Sequence, residues 1–357
     1  MTARTPLYDA HLEAGGKMVE FAGWALPIHY GSQIDEHRVV RAAAGMFDVS
    51  HMTVVDIRGA QARSFLRRLL ANDVARLGER GQALYGCMLN EQGGVIDDLI
   101  TYWIEDDFYR TVVNAATRKD DLDWMHRVAA GSDVEISERE DLAMVAVQGP
   151  AARDRVIAVL GARESASLQP FRATTHGDYF IARTGYTGED GFELLMPAGE
   201  AAGFWRALSR AGVQPCGLGA RDSLRLEAGL NLYGQDMDTT TTPLESNLGW
   251  TVAFEPSERE FIGREALERQ KENGVPRQLV GLVLGHGGIP RTGAVVLTPA
   301  GEGQVTSGVF GPSTQCPVAL ARIPAGEFDE VAVELRGRKL TARVVKPPFV
   351  RQGKVRI

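Results

Sequence analysis

Apolar positions follow two periods along the chain, and the switches between them mark its elements. Phe65, Leu66, Leu69 and Leu70 recur at helical spacing, whereas residues 53–58 form a short β-prone run. Three β-prone runs follow at 83–89, 95–103 and 108–114, separated by Asn90-Glu-Gln-Gly-Gly94 and by Asp106-Asp107. Those separators are turn chemistry, so the pattern predicts two successive hairpins. An amphipathic helix is predicted over 116–130, two strands over 134–148, and a helix over 151–160. A hairpin with a glycine-rich turn is predicted over 178–197, and helices over 199–211, 219–229 and 262–273. Near the start, Ser32 followed by Asp35 reads as a helix N-cap, with Gly45 as the stop. Residues 1–31 read as irregular structure with short strands, because Pro6, Gly15, Gly16, Gly23 and Pro27 interrupt any helix. Beyond residue 277 the pattern changes to short β runs with turns at Gly287-Gly288, Pro299-Ala-Gly301, Gly311-Pro312 and Arg336-Gly337. That region reads as a separate all-β domain of roughly 80 residues. Strands mixed with helices that cover one face of an antiparallel sheet give an α+β class.

Composition narrows the possibilities. A chain of 357 residues corresponds to two or three domains at roughly 150 residues each. Lys and Arg number 39 against 46 Asp and Glu, a net charge of −7, so general nucleic-acid binding is disfavoured. Cys87, Cys216 and Cys316 are odd in number and widely spaced, with no CxxC, which argues against a disulfide framework or a zinc site. No apolar run approaches the ~18 residues of a membrane span, and the first residues lack a signal-like apolar core. A soluble cytoplasmic protein is therefore expected, with no membrane partner and a monomer as the default. From Arg336 to Ile357 there are eight basic residues and no acid. That segment is either a solvated sheet edge or a docking surface for an anionic ligand tail or an acidic partner.

Several familiar motifs are absent: GxxxxGK[ST], GxSxG, HExxH and a complete GxGxxG. Four polar clusters remain. Asp97 and Asp98 interrupt an apolar strand, and alternation points one of them to each face, without saying which faces a pocket. The segment from Thr184 to Glu193 combines glycines with Tyr186, Glu189 and Asp190, which suits either a plain hairpin or close ligand approach. Arg221 and Arg225 are four apart on one helical face, and Asp222 could pair with Arg225 or cap the helix, so the group reads as a salt-bridged face or as ligand contacts. Asp48, Ser50 and His51 are too close in sequence for a catalytic triad, and satisfying backbone groups in a loop is the plainer reading.

Together these segments resemble, nearly end to end, the aminomethyltransferase or T-protein family of the glycine cleavage system. The resemblance runs through Phe47-Asp-Val-Ser-His-Met52, Gly93-Gly-Val-Ile-Asp-Asp-Leu99, Gly185-Tyr-Thr-Gly-Glu-Asp-Gly191, Ala220-Arg-Asp-Ser-Leu-Arg-Leu-Glu-Ala-Gly229 and Val305-Thr-Ser-Gly308, in order and spacing. It implies a multidomain α+β fold around a central folate site. Residues 1–50 with 140–245 would form a discontinuous folate-binding domain. Residues 51–139 with 246–275 would form a ferredoxin-like domain, and 277–357 a C-terminal β-barrel. It implies transfer of a one-carbon unit from the aminomethyl-dihydrolipoyl arm of an H protein to tetrahydrofolate, with release of ammonia. The family pattern selects Asp98 as the catalytic carboxylate and turns Asp97 away. It assigns Tyr85 and Val112 to the pterin pocket, Met52 and Tyr186 beside it, and Glu193 and Arg221 to hydrogen bonds with folate. Asn114, beside Val112, is a further candidate. No metal is implied. Two rivals keep the folate pocket: a folate-dependent demethylase, separable by activity without H protein, and a folate-binding accessory protein without transferase activity.

Overall fold

The computed structural model describes residues 2–285 and 288–357. A six-stranded sheet runs in the order Ala173–His176, Tyr179–Ala182, Gly191–Pro197, Leu142–Gln148, Gly45–Asp48 and Gln214–Pro215. Helices Ala152–Leu160 and Ala201–Arg210 cover one face, packing Val156, Phe204, Trp205 and Leu208 against Met46, Val145, Val147 and Leu194. The opposite face carries Phe47, Met144, Ala146 and Leu195 and turns toward a second sheet.

The second sheet has five antiparallel strands in the order Ala83–Leu89, Val95–Glu105, Phe108–Val113, Thr53–Arg58 and Glu135–Glu138. Helices Ala62–Leu69 and Arg118–Ala129 seal one face through Phe65, Leu66, Leu69 and Met125 against Val55, Ile57, Tyr109 and Val113. Without the edge strand Ala83–Leu89, the remaining strands and helices follow the ferredoxin-like βαββαβ order. The face away from the helices carries Val54, Tyr102 and Val112, which pack with the first sheet. Two sheets thus meet face to face, and the site lies where they diverge.

Strands Arg277–Leu284, Cys316–Pro324, Gly301–Gly311, Val295–Thr298, Glu330–Leu335 and Arg338–Val345 close into a barrel. Its interior is filled by Leu282, Leu284, Val296, Val305, Ala319, Ala321 and Val333. Arg336 and Gly337 both take positive φ, +50° and +75°, at the two-residue turn between paired Leu335 and Arg338. The barrel docks on helix Leu218–Glu227 through Leu226 against Leu279, Val318, Leu320 and Phe349. A buried polar pin reinforces this contact: Arg225 Nη1 donates to Asp236 Oδ2 at 2.7 Å and Nη2 to Ser307 Oγ at 2.9 Å. Such charges tolerate burial only because each finds its partner.

The predicted hairpins at 83–114, the helix following Ser32 and the C-terminal barrel are all present. Three details differ from expectation. Residues 1–31 contain a helix after all, Tyr8–Glu13, fitted between Pro6 and Gly15. It is too short to stand alone, and the burial of Leu7, Ala10 and His11 supplies what propensity lacks. Strand Ala173–His176 was not expected. It pairs at the sheet edge with Tyr179–Ala182. The strands of the 178–197 hairpin are joined by the long loop 183–190 rather than a tight turn. The turn expected at Gly287-Gly288 involves a residue outside the described range. No described helix is long and apolar enough to cross a membrane.

Candidate active site

A cavity of about 820 Å³ opens between the two sheets, helix Leu218–Glu227 and the barrel. Its floor is the helix-free face of the five-stranded sheet. Register decides which side chains reach it. Tyr85 pairs with Ile100, Ile100 with Val112, and Cys87 with Asp98. Directly paired residues share a face, so Tyr85, Asp98, Ile100 and Val112 point together into the cavity. Asn114 follows the end of its strand and continues that row.

Asp97 points the other way, under the helices, and is fully buried. It accepts hydrogen bonds from the Asn114 backbone N at 2.9 Å and from Asn114 Nδ2 at 2.8 Å. Asp98 is partly exposed at the cavity wall. Tyr85 Oη donates to its Oδ2 at 2.8 Å, and Asn114 Nδ2 approaches its Oδ1 at 3.1 Å. Burial pushes the Asp98 carboxyl up to about 6, while the hydrogen bonds from Tyr85 and Asn114 oppose that rise. A carboxylate poised this close to neutrality suits proton transfer.

The opposite wall is built by the first sheet and helix Leu218–Glu227. Glu193 accepts from Thr184 Oγ1 at 2.6 Å. The Arg221 guanidinium lies 4.8 Å from the Tyr186 ring centroid, and Tyr186 Oη donates to the Asn231 carbonyl. Arg221 Nη1 is buried without a hydrogen-bond partner. So is His51 Nδ1 on the same cavity. Burial pulls the His51 imidazole down to about 4, with nearby Arg221 adding to the effect, so it is neutral at pH 7. An orphaned buried polar atom costs about 1–3 kcal/mol, and a polar ligand entering the cavity would relieve that cost.

All eight residues singled out from the sequence line this one cavity: Met52, Tyr85, Asp98, Val112, Asn114, Tyr186, Glu193 and Arg221. Asn114 differs from the rest in spending its amide nitrogen on Asp97 and Asp98. Arg225, weighed with Arg221, also borders the cavity but commits its guanidinium to Asp222 at 2.9 Å and to the barrel pin. Asp48 and Ser50 satisfy their surroundings, as the plainer reading held. Ser50 N donates to Asp48 Oδ1 at 2.9 Å, and Ser50 Oγ exchanges bonds with the Met144 backbone. Sequence reasoning missed His51 as a cavity residue and missed Trp250 altogether. Trp250 is 67% exposed and stacks on Tyr85 with centroids 6.0 Å apart and planes 29° apart. It belongs to an aperiodic stretch, where nothing but the presence of an aromatic marks it.

Comparison with known proteins agrees with this architecture. Residues 7–256 match the GCVT N-terminal domain, and residues 277–351 match the glycine cleavage T-protein C-terminal barrel domain. The chain belongs to the glycine cleavage T-protein family and is an aminomethyltransferase. An aminomethyltransferase of Methylococcus capsulatus is 57% identical over 350 residues, covering 98% of this chain and 97% of that one. One from Xanthomonas axonopodis pv. citri is 55% identical, covering 99% and 98%. The crystal structure of glycine cleavage system aminomethyltransferase T from Bartonella henselae superposes with a TM-score of 0.93 at 38% identity, over the whole of both chains. Membership implies a folate-related role for this glycine cleavage enzyme.

Proposed function

We propose that the cavity takes tetrahydrofolate as co-substrate, and that Asp98 is the carboxylate serving transfer from the aminomethyl-dihydrolipoyl arm of an H protein. Tetrahydrofolate supplies the nitrogen nucleophile that accepts the one-carbon unit, giving methylenetetrahydrofolate as ammonia and the reduced lipoyl arm leave. The observation that carries this reading is the convergence of a poised carboxylate and an orphaned guanidinium nitrogen on one cavity.

Asp98, held by Tyr85 and Asn114, accepts a proton from the reacting amine and faces positive charge as it develops. Arg221 and Glu193 bind the polar edge of the pterin, where a rigid guanidinium fork orients a planar heterocycle. Met52, Tyr85, Val112 and Tyr186 flank that ring and exclude water. Asn114 acts through Asp98. The same reading divides the chain into 1–50 with 140–245, 51–139 with 246–275, and 277–357, since each of the three main sheets draws its strands from one of these sets. The three cysteines are free thiols, which fits the reducing cytoplasm, and the enzyme would act as a monomer.

The test is formation of ammonia and methylenetetrahydrofolate from aminomethyl-loaded H protein plus tetrahydrofolate. Wild-type turnover that requires H protein and collapses in Asp98→Asn supports the reading. Turnover of a small methylated amine without H protein would replace it with a demethylase.

A further inference from the structure

Directly behind Asp98, on the helix side of the same strand, a second carboxyl meets Asp97. Asp121, on helix Arg118–Ala129, is fully buried, and neither of its carboxyl oxygens has a hydrogen-bond partner. Its carboxyl is a close neighbour of that of Asp97, and the Thr117 hydroxyl at the start of the same helix donates to the Asn114 carbonyl at 3.1 Å. Two adjacent carboxylates in a dry interior cannot both stay ionised, and a single proton held between them removes the repulsion and satisfies both groups. Burial raises both carboxyls, Asp121 to about 7, in keeping with a proton retained at neutral pH. Asp97 is in turn gripped by two donors of Asn114, and the same Asn114 amide nitrogen reaches Asp98 Oδ1 and the Asp98 carbonyl, each at 3.1 Å.

We propose that Asp97, Asp121 and Asn114 form a positioning unit for Asp98: the two buried carboxyls share one proton, and Asn114 transmits their fixed geometry to the carboxylate at the cavity wall. The proposal rests on the reading of Asp98 as the reacting carboxylate. The order of contact is Asp121, Asp97, Asn114, Asp98, Tyr85, and the first two lie away from the cavity that the other three line. If the pair lost its proton, two like charges would be forced together under the strand, and the Asn114 amide that clamps them would shift with them. Other ionisable groups face this unit. Cys87 and Tyr233 lie near Asp97, Asp120 near Asp121, and Tyr186, Tyr233 and Asp236 near Asp98. Asp236 is already neutralised by Arg225, and burial pushes Cys87, Tyr186 and Tyr233 up, so they stay protonated at pH 7. None of them supplies the missing donor between the two carboxyls.

Two measurements test this. The first is difference infrared spectroscopy of the full chain at pH 7. The carbonyl stretch of a protonated carboxylic acid is expected in wild type and in Asp98→Asn, and is expected to vanish in Asp121→Asn. Its absence from Asp98→Asn, or its persistence in Asp121→Asn, overturns the shared proton. The second compares the near-isosteric variants Asp121→Asn and Asp121→Leu in the coupled H-protein assay. The amide still donates to Asp97, so Asp121→Asn is expected to keep kcat within about threefold of wild type. Asp121→Leu cannot donate, and kcat is expected to fall about tenfold with KM for tetrahydrofolate little changed, a loss in proportion to one hydrogen bond to a charged group. Equal kcat for the two variants means that Asp121 only fills space, and sinks the positioning role. Should Asp121→Leu fail to fold, the infrared measurement still decides. Full turnover by Asp98→Asn would instead remove the reading of Asp98 and leave the infrared result standing.

Discussion

The segment around Asp48 and the strand around Asp98 look alike as sequence, each offering carboxylates beside other polar groups, yet the fold treats them in opposite ways. Asp48 is saturated: it accepts from Thr5 Oγ1 at 2.6 Å, from His11 Nε2 at 2.8 Å and from Ser50 N at 2.9 Å. Its carboxyl is held below the ordinary range, because the hydrogen bonds and charge of its partners outweigh its burial. Asp98 is partnered by Tyr85 and Asn114 but keeps a side open to the cavity, and its carboxyl is held above the ordinary range. A carboxylate committed to structure is spent on fixed donors, whereas one available for chemistry is left short of them.

That contrast can be broken most directly at Asp98. Asp98→Asn is expected to lose ~10²–10⁴-fold in turnover while still binding tetrahydrofolate, the range of a general base. The same variant is expected to gain stability. A carboxyl raised to about 6 when folded, against about 4 unfolded, loses stability as pH climbs through that window. Asn escapes this, so above pH 6 the variant should be more stable by on the order of 1–2 kcal/mol, allowing for solvent in the cavity. The gain should fade toward pH 4, and denaturant titration at both pH values checks it. Asp48→Asn is expected to behave in the reverse manner, costing on the order of 1.5–3 kcal/mol of stability because buried hydrogen bonds to a charged group are lost, with turnover per folded molecule unchanged. If instead it abolishes turnover in a fully folded protein, the two clusters are not distinct.

A smaller effect sharpens the same point. Tyr85→Phe removes a hydrogen bond that favours the charged form of Asp98. The acid limb of the kcat profile, expected near pH 6 in wild type, should therefore move up by about one unit. A limb that stays in place would mean that another group sets it. The smallest change concerns the basic segment, whose eight cationic side chains are all exposed. Neutralising Lys346, Arg351 and Lys354 should weaken H-protein binding severalfold at low salt and hardly at all at high salt. No change in affinity at either salt concentration would make the segment a solvated edge.

Much of this arrangement was legible in the sequence wherever one period persisted. The hairpins at 83–114 follow from apolar runs separated by turn residues, and the barrel from its regular turn spacing. Asp97 and Asp98 could not be told apart by alternation alone, because the pairing slips between Met88 and Leu89, so counting from the hairpin misleads by one residue. The family resemblance supplied what parity could not. Trp250 and the orphaned nitrogen of His51 were not legible, since their roles depend on contacts between segments far apart in sequence. The helix Tyr8–Glu13 escaped for a similar reason, its stability being tertiary.

The cavity wall draws on residues from Val19 to Pro312. No fragment of the chain therefore carries the site, and during synthesis the pocket is complete only once the barrel has emerged and docked. A molecule held there touches both main sheets, the helix Leu218–Glu227 and the barrel at once, and it stabilises only the fully assembled chain. At a hundredfold excess over its dissociation constant that amounts to about 2.7 kcal/mol. Ligand binding should thus raise the melting temperature of the whole chain, and proteolytic nicking should slow in step with occupancy.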